Sequence, residues 1–373
     1  MNNPFSLVPY TSKEYFCDRE QETKTIVEYI SNGSNVTLIS PRRYGKTGLI
    51  YRVFDEIKQK KVDVSTCYVD IYATETLEDF IKVFSEAVLA SLEKKKTAKA
   101  FFQFLSGLRP MLSYNPLSGN PELTLTFRDD HEKKQTLASI LQFIEKQDKK
   151  IIVAIDEFQQ IRNYGINMEA LLRSYIQPLQ NVQFIFCGSK KHLMTEMFTD
   201  ARSPFYESTR CLYLEKIDRD VYSEFIVKMF EKGKKTITQE ALDFILDWTK
   251  RHTFYTQSLC NHLFLKSTKN IGTEDVLRSA SQILKENEQT FLQWRDLLTS
   301  NQWSYLKAVA KEQSLEKPYS AQFLQIYNIG TSANSQRLLE ALIDKELILA
   351  NSTLEGVSYS VYNVFLSRWL ENQ

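Results

Sequence analysis

A glycine, a lysine and a threonine stand together at residues 45–47, at the end of the stretch Ser-Pro-Arg-Arg-Tyr-Gly-Lys-Thr. The stretch fits the pattern G-x-x-x-x-G-K-[ST], except that Ser40 occupies the position of the first glycine. In such a loop the backbone turns at Gly45 with its N–H groups inward, Lys46 reaches the terminal phosphates, and the Thr47 hydroxyl can bind Mg²⁺. The pattern therefore predicts a phosphate-binding loop.

Two adjacent carboxylates, Asp156 and Glu157, end a continuous apolar run that begins at Lys150. Such a run is typical of a parallel strand that is buried on both faces. If Asp156 holds Mg²⁺ and Glu157 polarises an attacking water, the pair supplies the two functions that phosphoryl transfer needs. Ser189 closes another apolar run, where it either bonds the γ-phosphate or the water, or merely ends a strand after Gly188.

Phosphoryl transfer also needs a cation for the negative charge that develops during the reaction. The sequence does not choose among its candidates, and a solvated surface position is the simpler interpretation for each arginine taken alone. The candidates are Arg42 and Arg43 in the loop, Lys190 and Lys191 after Ser189, and Arg202 and Arg210 on either side of a Pro-Phe-Tyr turn.

The loops that carry these residues must be brought together by the fold. The pattern of the first 217 residues predicts a fold that does so. Five apolar runs alternate with helical patterns, which favours an open, mainly parallel sheet with helices on both faces. Ligands of such sheets lie beyond the carboxyl ends of the strands, so the loop, Asp156-Glu157 and Ser189 should converge. A hairpin or a loop insertion is predicted at 109–127, and the predicted strands are 36–39, 65–72, 150–157, 182–189 and 211–214.

Strand patterns vanish from about residue 219, where an all-helical unit is predicted, with helices at 219–231, 238–250, 255–267 and 273–297. The last part of the chain predicts a winged helix, with three helices at 302–310, 321–327 and 332–344 and two strands at 346–349 and 358–361. The predicted division is therefore an α/β domain at 1–217, with an N-terminal segment at 1–34, a helical lid at 218–299 and a winged helix at 300–373.

Composition limits where the protein works. The chain has 373 residues, of which 43% are hydrophobic and 25% charged, as is ordinary for a globular protein. Its net charge of +1 produces no overall electrostatic attraction of the molecule to nucleic acid or anionic lipid. No apolar run approaches the length of a membrane span, no signal peptide is evident, and five scattered cysteines indicate reduced thiols rather than a disulfide or zinc framework. A cytoplasmic location without membrane insertion is predicted.

The motifs together resemble the archaeal-type ATPase family of the AAA+ and STAND P-loop proteins. The resemblance covers nearly the whole chain, and its most specific part is the Pro-Arg-Arg-Tyr-Gly-Lys-Thr loop. The other parts are Asn3-Pro4-Phe5, the box from Phe16 to Glu20, the run from Ile152 to Glu157, Gly188-Ser189, and a helical lid followed by a winged helix.

The resemblance implies an ATP site with Mg²⁺. Arg19 and Glu20 would lie near the adenine, Asp156 and Glu157 would form the Walker B pair, and Ser189 would be a sensor. The implied catalytic residues are Glu157, Lys46, Ser189 and Arg210, the metal ligands are Thr47 and Asp156, and the nucleotide contacts are Arg19, Pro41, Arg42, Arg43, Tyr44, Gly45, Lys46, Thr47 and Gly48.

The chain departs from the family pattern at three places. Ser40 replaces a glycine, Arg251-His252-Thr253 stands where the lid usually reads Gly-His-Pro, and Glu207-Ser208 follows Tyr206 where Gly-Arg is usual. Arg210 is the nearest arginine to that last position, so it is the candidate arginine finger.

Three functions follow as hypotheses. The first is a Mg²⁺-dependent ATPase that acts as a nucleotide-driven switch on a protein or nucleic-acid partner, either alone or as a homo-oligomer. The second is a DNA-binding ATPase that uses 300–373, and the third is a nucleotide-binding scaffold with little hydrolysis. The third helix of the winged helix carries Arg337 and Lys345 against three acidic residues, which favours a protein partner over DNA.

Overall fold

The computed structural model describes residues 3–60, 63–92, 95–105, 111–114, 121–165, 167–267, 269–353 and 356–373. The chain forms two compact units. One is Pro9–Glu215, and the other joins Lys216–Gln373 with the residues before Pro9. Compactness separates only these two units, so the division of the second one into a lid and a winged helix at 299/300 stays a prediction.

The first unit contains a five-stranded parallel sheet and a separate antiparallel hairpin. The sheet order is β2-β5-β6-β1-β7, and every neighbouring pair is parallel. This confirms the predicted sheet and the hairpin insertion, whose turn at 115–120 lies outside the described residues. The strands are β1 (Val36–Ile39), β2 (Val64–Asp70), β3 (Met111–Tyr114), β4 (Pro121–Thr124), β5 (Lys150–Asp156), β6 (Val182–Gly188) and β7 (Arg210–Tyr213).

Helices cover both faces of the sheet. Alternate residues of β5 explain this, because Ile152 belongs to the hydrophobic cluster on one face and Val153 to the cluster on the other. The first cluster contains residues of α1 and α2, and the second contains residues of α3, α5, α6 and α7. The helices are α1 (Glu20–Ser31), α2 (Lys46–Gln59), α3 (Leu77–Ser91), α4 (Lys95–Phe104), α5 (Asp130–Glu145), α6 (Met168–Ile176) and α7 (Lys191–Thr199), with 3-10 helices at Lys13–Tyr15 and Phe158–Asn163.

The register of the strands sets which residues meet at the carboxyl edge. Leu38 of β1 pairs with Cys187 of β6, and Asp70 of β2 pairs with Asp156 of β5. Ile155 pairs with Phe186, so Asp156 lies level with Cys187. The loop after β1 and the carboxylates after β5 therefore leave the same edge of the sheet, as the sequence predicts.

The second unit is helical with two small sheets. Its helices are α8 (Arg219–Lys232), α9 (Gln239–Trp248), α10 (Thr253–Lys266), α11 (Thr273–Asp296), α12 (Ser300–Glu312), α13 (Ala321–Ile326), α14 (Ser332–Asp344) and α15 (Val364–Glu371). Its strands are β8 (Thr236–Ile237), β9 (Asn270–Ile271), β10 (Ile348–Thr353) and β11 (Gly356–Val361). Helices α12 to α14 and the antiparallel β10–β11 pair confirm the three helices and two strands predicted for the winged helix.

Two features of this unit differ from the prediction. The expectation that strands vanish after residue 219 is wrong, because β8 and β9 pair in parallel. Two residues each are too few to show an alternating pattern. Helix α15 was not predicted either. It is held by Arg368, which donates hydrogen bonds to the carbonyl oxygens of Asp247 (3.0 Å) and Trp248 (2.9 Å), so its cation lies at the carboxyl end of α9.

The first described residues pack into this second unit. The Phe5 ring is buried against Phe230 and Phe264, with ring centroids 4.7 and 6.3 Å away. Asn3 donates to the carbonyl oxygen of Asn261 at 3.0 Å, and the Asn261 amide donates to that of Phe5 at 2.7 Å. The Asn-Pro-Phe motif therefore has a structural role in the helical unit.

Within the described part of the chain, we find no helix with the length and apolar character needed to cross a bilayer.

Phe186→Ala should lower the free energy of unfolding by about 3–5 kcal/mol, because a ring with no exposed surface leaves the centre of an aromatic cluster and a cavity remains. Urea denaturation followed by circular dichroism measures the change. Lys58→Ala, at an exposed position on α2, is the control and should stay within about 0.5 kcal/mol of the unmodified protein. A loss no larger than the control's would contradict this account of the core.

Candidate functional site

The loop between β1 and α2 has the backbone shape that its sequence predicts. Arg43 and Gly45 have positive φ angles of 64° and 96°, and α2 begins at Lys46. The left-handed residues turn the chain sharply into the helix, whose first N–H groups have no partner within the helix. A helix N-terminus with such N–H groups favours a bound phosphate.

Lys46 lies inside this loop with 6% of its surface exposed. Its Nζ donates to the carbonyl oxygens of Ser40 (3.1 Å) and Pro41 (3.0 Å) and lies 3.5 Å from the Ser40 hydroxyl. Burial lowers the pKa of Lys46. Ser40 has no positive φ angle, so the position does not require a glycine, and the serine adds a hydroxyl beside the lysine.

Asp156 is the buried centre of the site. Its Oδ2 accepts hydrogen bonds from the hydroxyls of Thr47 and Tyr68, both at 2.8 Å. Its Oδ1 accepts from the Glu157 N–H and the Cys187 thiol, both at 3.0 Å. The structure thus brings together the two predicted metal ligands, Thr47 and Asp156.

The sequence interpretation missed Tyr68 and Cys187. Both were assigned only to strands, although Tyr68 points to the same side of β2 as Asp70 in the alternating pattern. Burial, and then the charge of Asp156, raises the pKa of the Tyr68 hydroxyl and that of the Cys187 thiol. Both groups therefore stay protonated and donate to the carboxylate at neutral pH.

Glu157 turns away from Asp156 because its backbone is left-handed, with φ of 56°. Its Oε2 accepts hydrogen bonds from the Ser189 hydroxyl at 2.7 Å and from the Gln159 amide at 2.5 Å. The Ser189 Oγ in turn accepts from Arg42 Nε at 3.1 Å. A continuous series of hydrogen bonds thus joins the loop to the second carboxylate.

The remaining loop residues differ in exposure. Arg42 is half-buried, with its guanidinium carbon 5.8 Å from the centre of the Tyr72 ring, whereas Arg43 is exposed. Pro41 and Tyr44 are buried, and burial raises the pKa of Tyr44 to about 12. Arg43 is therefore the predicted loop contact that is most open to solvent.

Arg52 fixes the box from Phe16 to Glu20 to helix α2. Its Nη2 lies 2.6 Å from Glu20 Oε1, its Nη1 donates to the Asp18 carbonyl oxygen, and its guanidinium lies 5.5 Å from the centre of the Phe16 ring. Arg52 was not singled out in the sequence. The sequence does contain a signal that could have identified Arg52. It lies one helical turn after Gly48, so both residues are on the face of α2 that contacts this box.

Gly48 lies where the N-terminal segment crosses α2. A Cβ atom at this position would be 2.4 Å from the Pro9 carbonyl oxygen and 2.6 Å from the Phe16 ring. The predicted nucleotide contact at Gly48 is therefore a position of close backbone approach.

Arg19 is buried, with φ of 70°. Its guanidinium donates to Glu22 Oε1 and to the Glu215 carbonyl oxygen, both at 2.6 Å. Both bonds tie Arg19 to protein groups of its own unit, and its role as a nucleotide contact stays a prediction.

Arg210 lies at the amino ends of the strands, opposite to the end that carries the phosphate loop. It opens β7 and pairs with Val36, at the amino end of β1, whereas the phosphate loop leaves β1 after Ile39. Its side chain is exposed. Within one chain, Arg210 thus lies at the opposite end of the strands from the phosphate loop, and its role as an arginine finger stays a prediction.

A model of the ATPase domain predominantly from Archaea matches residues 16–250, which is more than half of the chain. The chain belongs to this family. A second model, of a probable winged helix domain, matches residues 289–372. The predicted family and the predicted C-terminal winged helix are thereby confirmed.

Several solved structures share the fold of this family member. The Walker-type ATPase PABY2304 of Pyrococcus abyssi has a TM-score of 0.64 at 20% identity, with 98% of this chain and 99% of that chain covered. The ORC2 protein of Aeropyrum pernix, in ADPNP and ADP complexes, gives 0.60 at 13% identity, with 99% and 96% covered. The ORC1 protein of Aeropyrum pernix, in complex with DNA, gives 0.55 at 12% identity, with 100% and 96% covered. Among curated proteins, no match was found.

These likenesses confirm the predicted P-loop fold, a parallel five-stranded sheet with flanking helices and a C-terminal winged helix. The roles of individual site residues in this ATPase-family chain stay predictions.

Gly48→Ala should destabilise this ATPase-family chain by about 1–3 kcal/mol, because a methyl group at 2.4 Å from a backbone carbonyl oxygen forces the N-terminal segment away from α2. The effect opposes the helix propensity that alanine adds. Thermal or urea unfolding measures it. Gly272→Ala, where no atom lies within 4 Å of the added carbon, should change stability by about 0.5 kcal/mol or less. Equal effects of the two substitutions would contradict the close approach.

Proposed function

We propose that the chain hydrolyses ATP to ADP and phosphate in a Mg²⁺-dependent reaction. The observation that carries this proposal is the hydrogen-bonded series at the carboxyl edge of the sheet, in which Thr47 contacts Asp156 and Arg42 contacts Ser189, which contacts Glu157. The series joins the phosphate loop to both carboxylates. Membership in the ATPase family and the shared fold support the proposal.

The loop would hold the phosphates. The N–H groups at the start of α2 and the charge of Lys46 would both contact the phosphates, and Gly45 gives the backbone its turn. Phosphate oxygens would replace the carbonyl oxygens of Ser40 and Pro41 as the acceptors of Lys46. Arg19, Tyr44 and Gly48 would border the base side of the site.

Thr47 and Asp156 fit a magnesium site by the chemistry of their donors. A hydroxyl and a carboxylate oxygen 2.8 Å apart are the hard ligands that Mg²⁺ prefers. In the described residues no cluster of three or more acidic, histidine or cysteine side chains could hold a metal alone, and Mg²⁺ commonly needs only one or two protein ligands beside the phosphates. When bound, Mg²⁺ would offset the negative charge of the phosphates.

Glu157 would act as the general base. Two donors hold its Oε2, whereas its Oε1 accepts no hydrogen bond from any described residue. Oε1 is therefore available to take a proton from a water that attacks the γ-phosphorus, while the bond to the ADP oxygen breaks. Ser189 would orient the carboxylate or the γ-phosphate.

Glu157→Gln should lower ATP turnover by at least about 100-fold while nucleotide affinity stays within about 3-fold, because the base is lost and the loop is intact. Phosphate release and titration with a fluorescent nucleotide measure the two quantities. Lys46→Ala is the complementary variant and should weaken binding itself. Unchanged turnover in Glu157→Gln would contradict the assignment of the base. Tight binding without turnover in the unmodified protein would instead support a scaffold.

We further propose that the second unit transmits the nucleotide state to a protein partner. Helix α14, the third helix of the winged helix, exposes Arg337 beside the acidic residues Glu340 and Asp344. The Arg337 guanidinium donates to Asn334 at 3.0 Å. One arginine next to two carboxylates is a poor match for a phosphate backbone. One structurally similar protein was solved in complex with DNA, so binding of a DNA duplex is the second candidate function.

Full-length protein should show no specific, salt-sensitive binding to a short DNA duplex in fluorescence anisotropy, because α14 lacks the several cations that release counterions. Arg337→Glu should leave this result unchanged. Tight binding that falls steeply with salt, and is lost in Arg337→Glu, would reverse the assignment and place DNA on the winged helix.

A further inference from the structure

We infer that Gln159 is a positioning residue that holds the Glu157 carboxylate in the orientation needed to activate water. The inference rests on the proposed hydrolysis and adds a residue to it. It follows from three observations: the contact of Gln159 with Glu157, the space that Gly188 leaves for it, and an unsatisfied polar atom that stability does not explain.

The contact is direct and buried. Gln159 Nε2 donates to Glu157 Oε2 at 2.5 Å, and Gln159 has 3% of its surface exposed. The left-handed backbone of Glu157, the residue before the 3-10 helix Phe158–Asn163, brings its side chain to that of Gln159 on this helix. A short, charge-assisted hydrogen bond from a buried amide restrains the rotation of the carboxylate.

The carboxylate needs both of its donors to be fixed. Ser189 and Gln159 both bind Oε2, which leaves Oε1 for the water. With one donor, the carboxylate can rotate about that single hydrogen bond and move Oε1 away from the water. With two donors on one oxygen, any rotation stretches at least one bond, so Gln159 supplies the second restraint.

Gly188 makes room for this amide. A Cβ atom at position 188 would lie 2.1 Å from Gln159 Oε1 and 2.6 Å from the Met194 sulfur. The Gln159 amide therefore lies against a bare stretch of backbone. The Gly188-Ser189 pair then has two complementary roles, because the glycine leaves space for one donor and the serine is the other donor.

The oxygen atom of the Gln159 amide lowers the stability of the folded protein. Gln159 Oε1 is buried and accepts no hydrogen bond within the described part of the chain. An unsatisfied buried oxygen destabilises a protein, and an apolar side chain of similar volume would avoid that cost. Fold stability alone therefore favours leucine or methionine here, and the glutamine is explained by its bond to Glu157.

The matched test compares Gln159→Leu with Gln160→Leu. Gln160 lies on the same 3-10 helix, and its amide donates to the Tyr72 carbonyl oxygen at 2.7 Å rather than to Glu157. Gln159→Leu should lower kcat by about 10-fold to 100-fold with KM and ADP affinity within about 2-fold, because the base loses its orientation while the loop is unchanged. Gln160→Leu should retain kcat.

A further measurement separates positioning from a structural role. The melting temperature of Gln159→Leu should be equal to or higher than that of the unmodified protein, because the unsatisfied oxygen is removed. Gln159→Met keeps the length of the side chain without the donor and is the second variant. The same changes in kcat and melting temperature are expected for it. A fall in kcat that accompanies a fall in melting temperature in both Gln159→Leu and Gln159→Met would overturn the inference.

A double-mutant cycle distinguishes this inference from the proposed function. If Gln159 acts through Glu157, adding Gln159→Leu to Glu157→Gln should cause no further loss of turnover. Loss of turnover in Glu157→Gln together with normal kcat in both Gln159 variants would overturn the inference and leave the proposed function standing. Full turnover in Glu157→Gln, or no turnover in the unmodified protein, would overturn the proposed function and, with it, the inference.

Discussion

The buried carboxylate of Asp156 is the interaction on which the rest of the site depends. It accepts four hydrogen bonds, and three of its donors come from different elements: Thr47 on α2, Tyr68 on β2 and Cys187 on β6. A carboxylate that is removed from water is costly unless such donors replace its hydration. Hydrogen bonds to charged groups contribute about 1.5–3 kcal/mol each, so this single residue holds the helix that follows the loop against the carboxyl edge of two strands.

The backbone at Glu157 lets two neighbouring carboxylates serve different surroundings. A left-handed conformation in a residue other than glycine costs on the order of 1 kcal/mol or more. With φ of 56°, the backbone at Glu157 no longer follows the direction of β5, and the Glu157 side chain contacts Ser189. The Asp156 side chain keeps its hydrogen bonds to donors on the strands and on α2. Two like charges thus acquire separate sets of donors. Had the strand continued unchanged, the two side chains would have faced opposite sides of the sheet.

Local sequence patterns predict the scaffold better than the contacts within the site. Apolar runs marked all five strands of the sheet, and the rule for parallel sheets placed the loop, Asp156-Glu157 and Ser189 at one edge. Arg52 and Gln159 were missed because their partners are fixed by long-range packing or by one unusual φ angle, which periodicity does not encode. Helix α15 was missed although it follows the winged-helix strands directly. It is anchored by Arg368 to carbonyl oxygens about 120 residues away in sequence.

The position of Arg210 follows from the topology of the sheet. A residue that precedes a parallel strand lies at the amino edge, so Arg210, which opens β7, cannot share an edge with a loop that follows β1. The phosphate loop brings Arg42 and Lys46 to the carboxyl end of the sheet, where Lys190 and Lys191 also follow β6. Lys46 contacts the carbonyl oxygens of Ser40 and Pro41, and Arg42 contacts Ser189. Because Ser189 also donates to Glu157, any phosphate that draws Arg42 away changes the surroundings of the carboxylate. The loop and the proposed base are therefore coupled through a single serine.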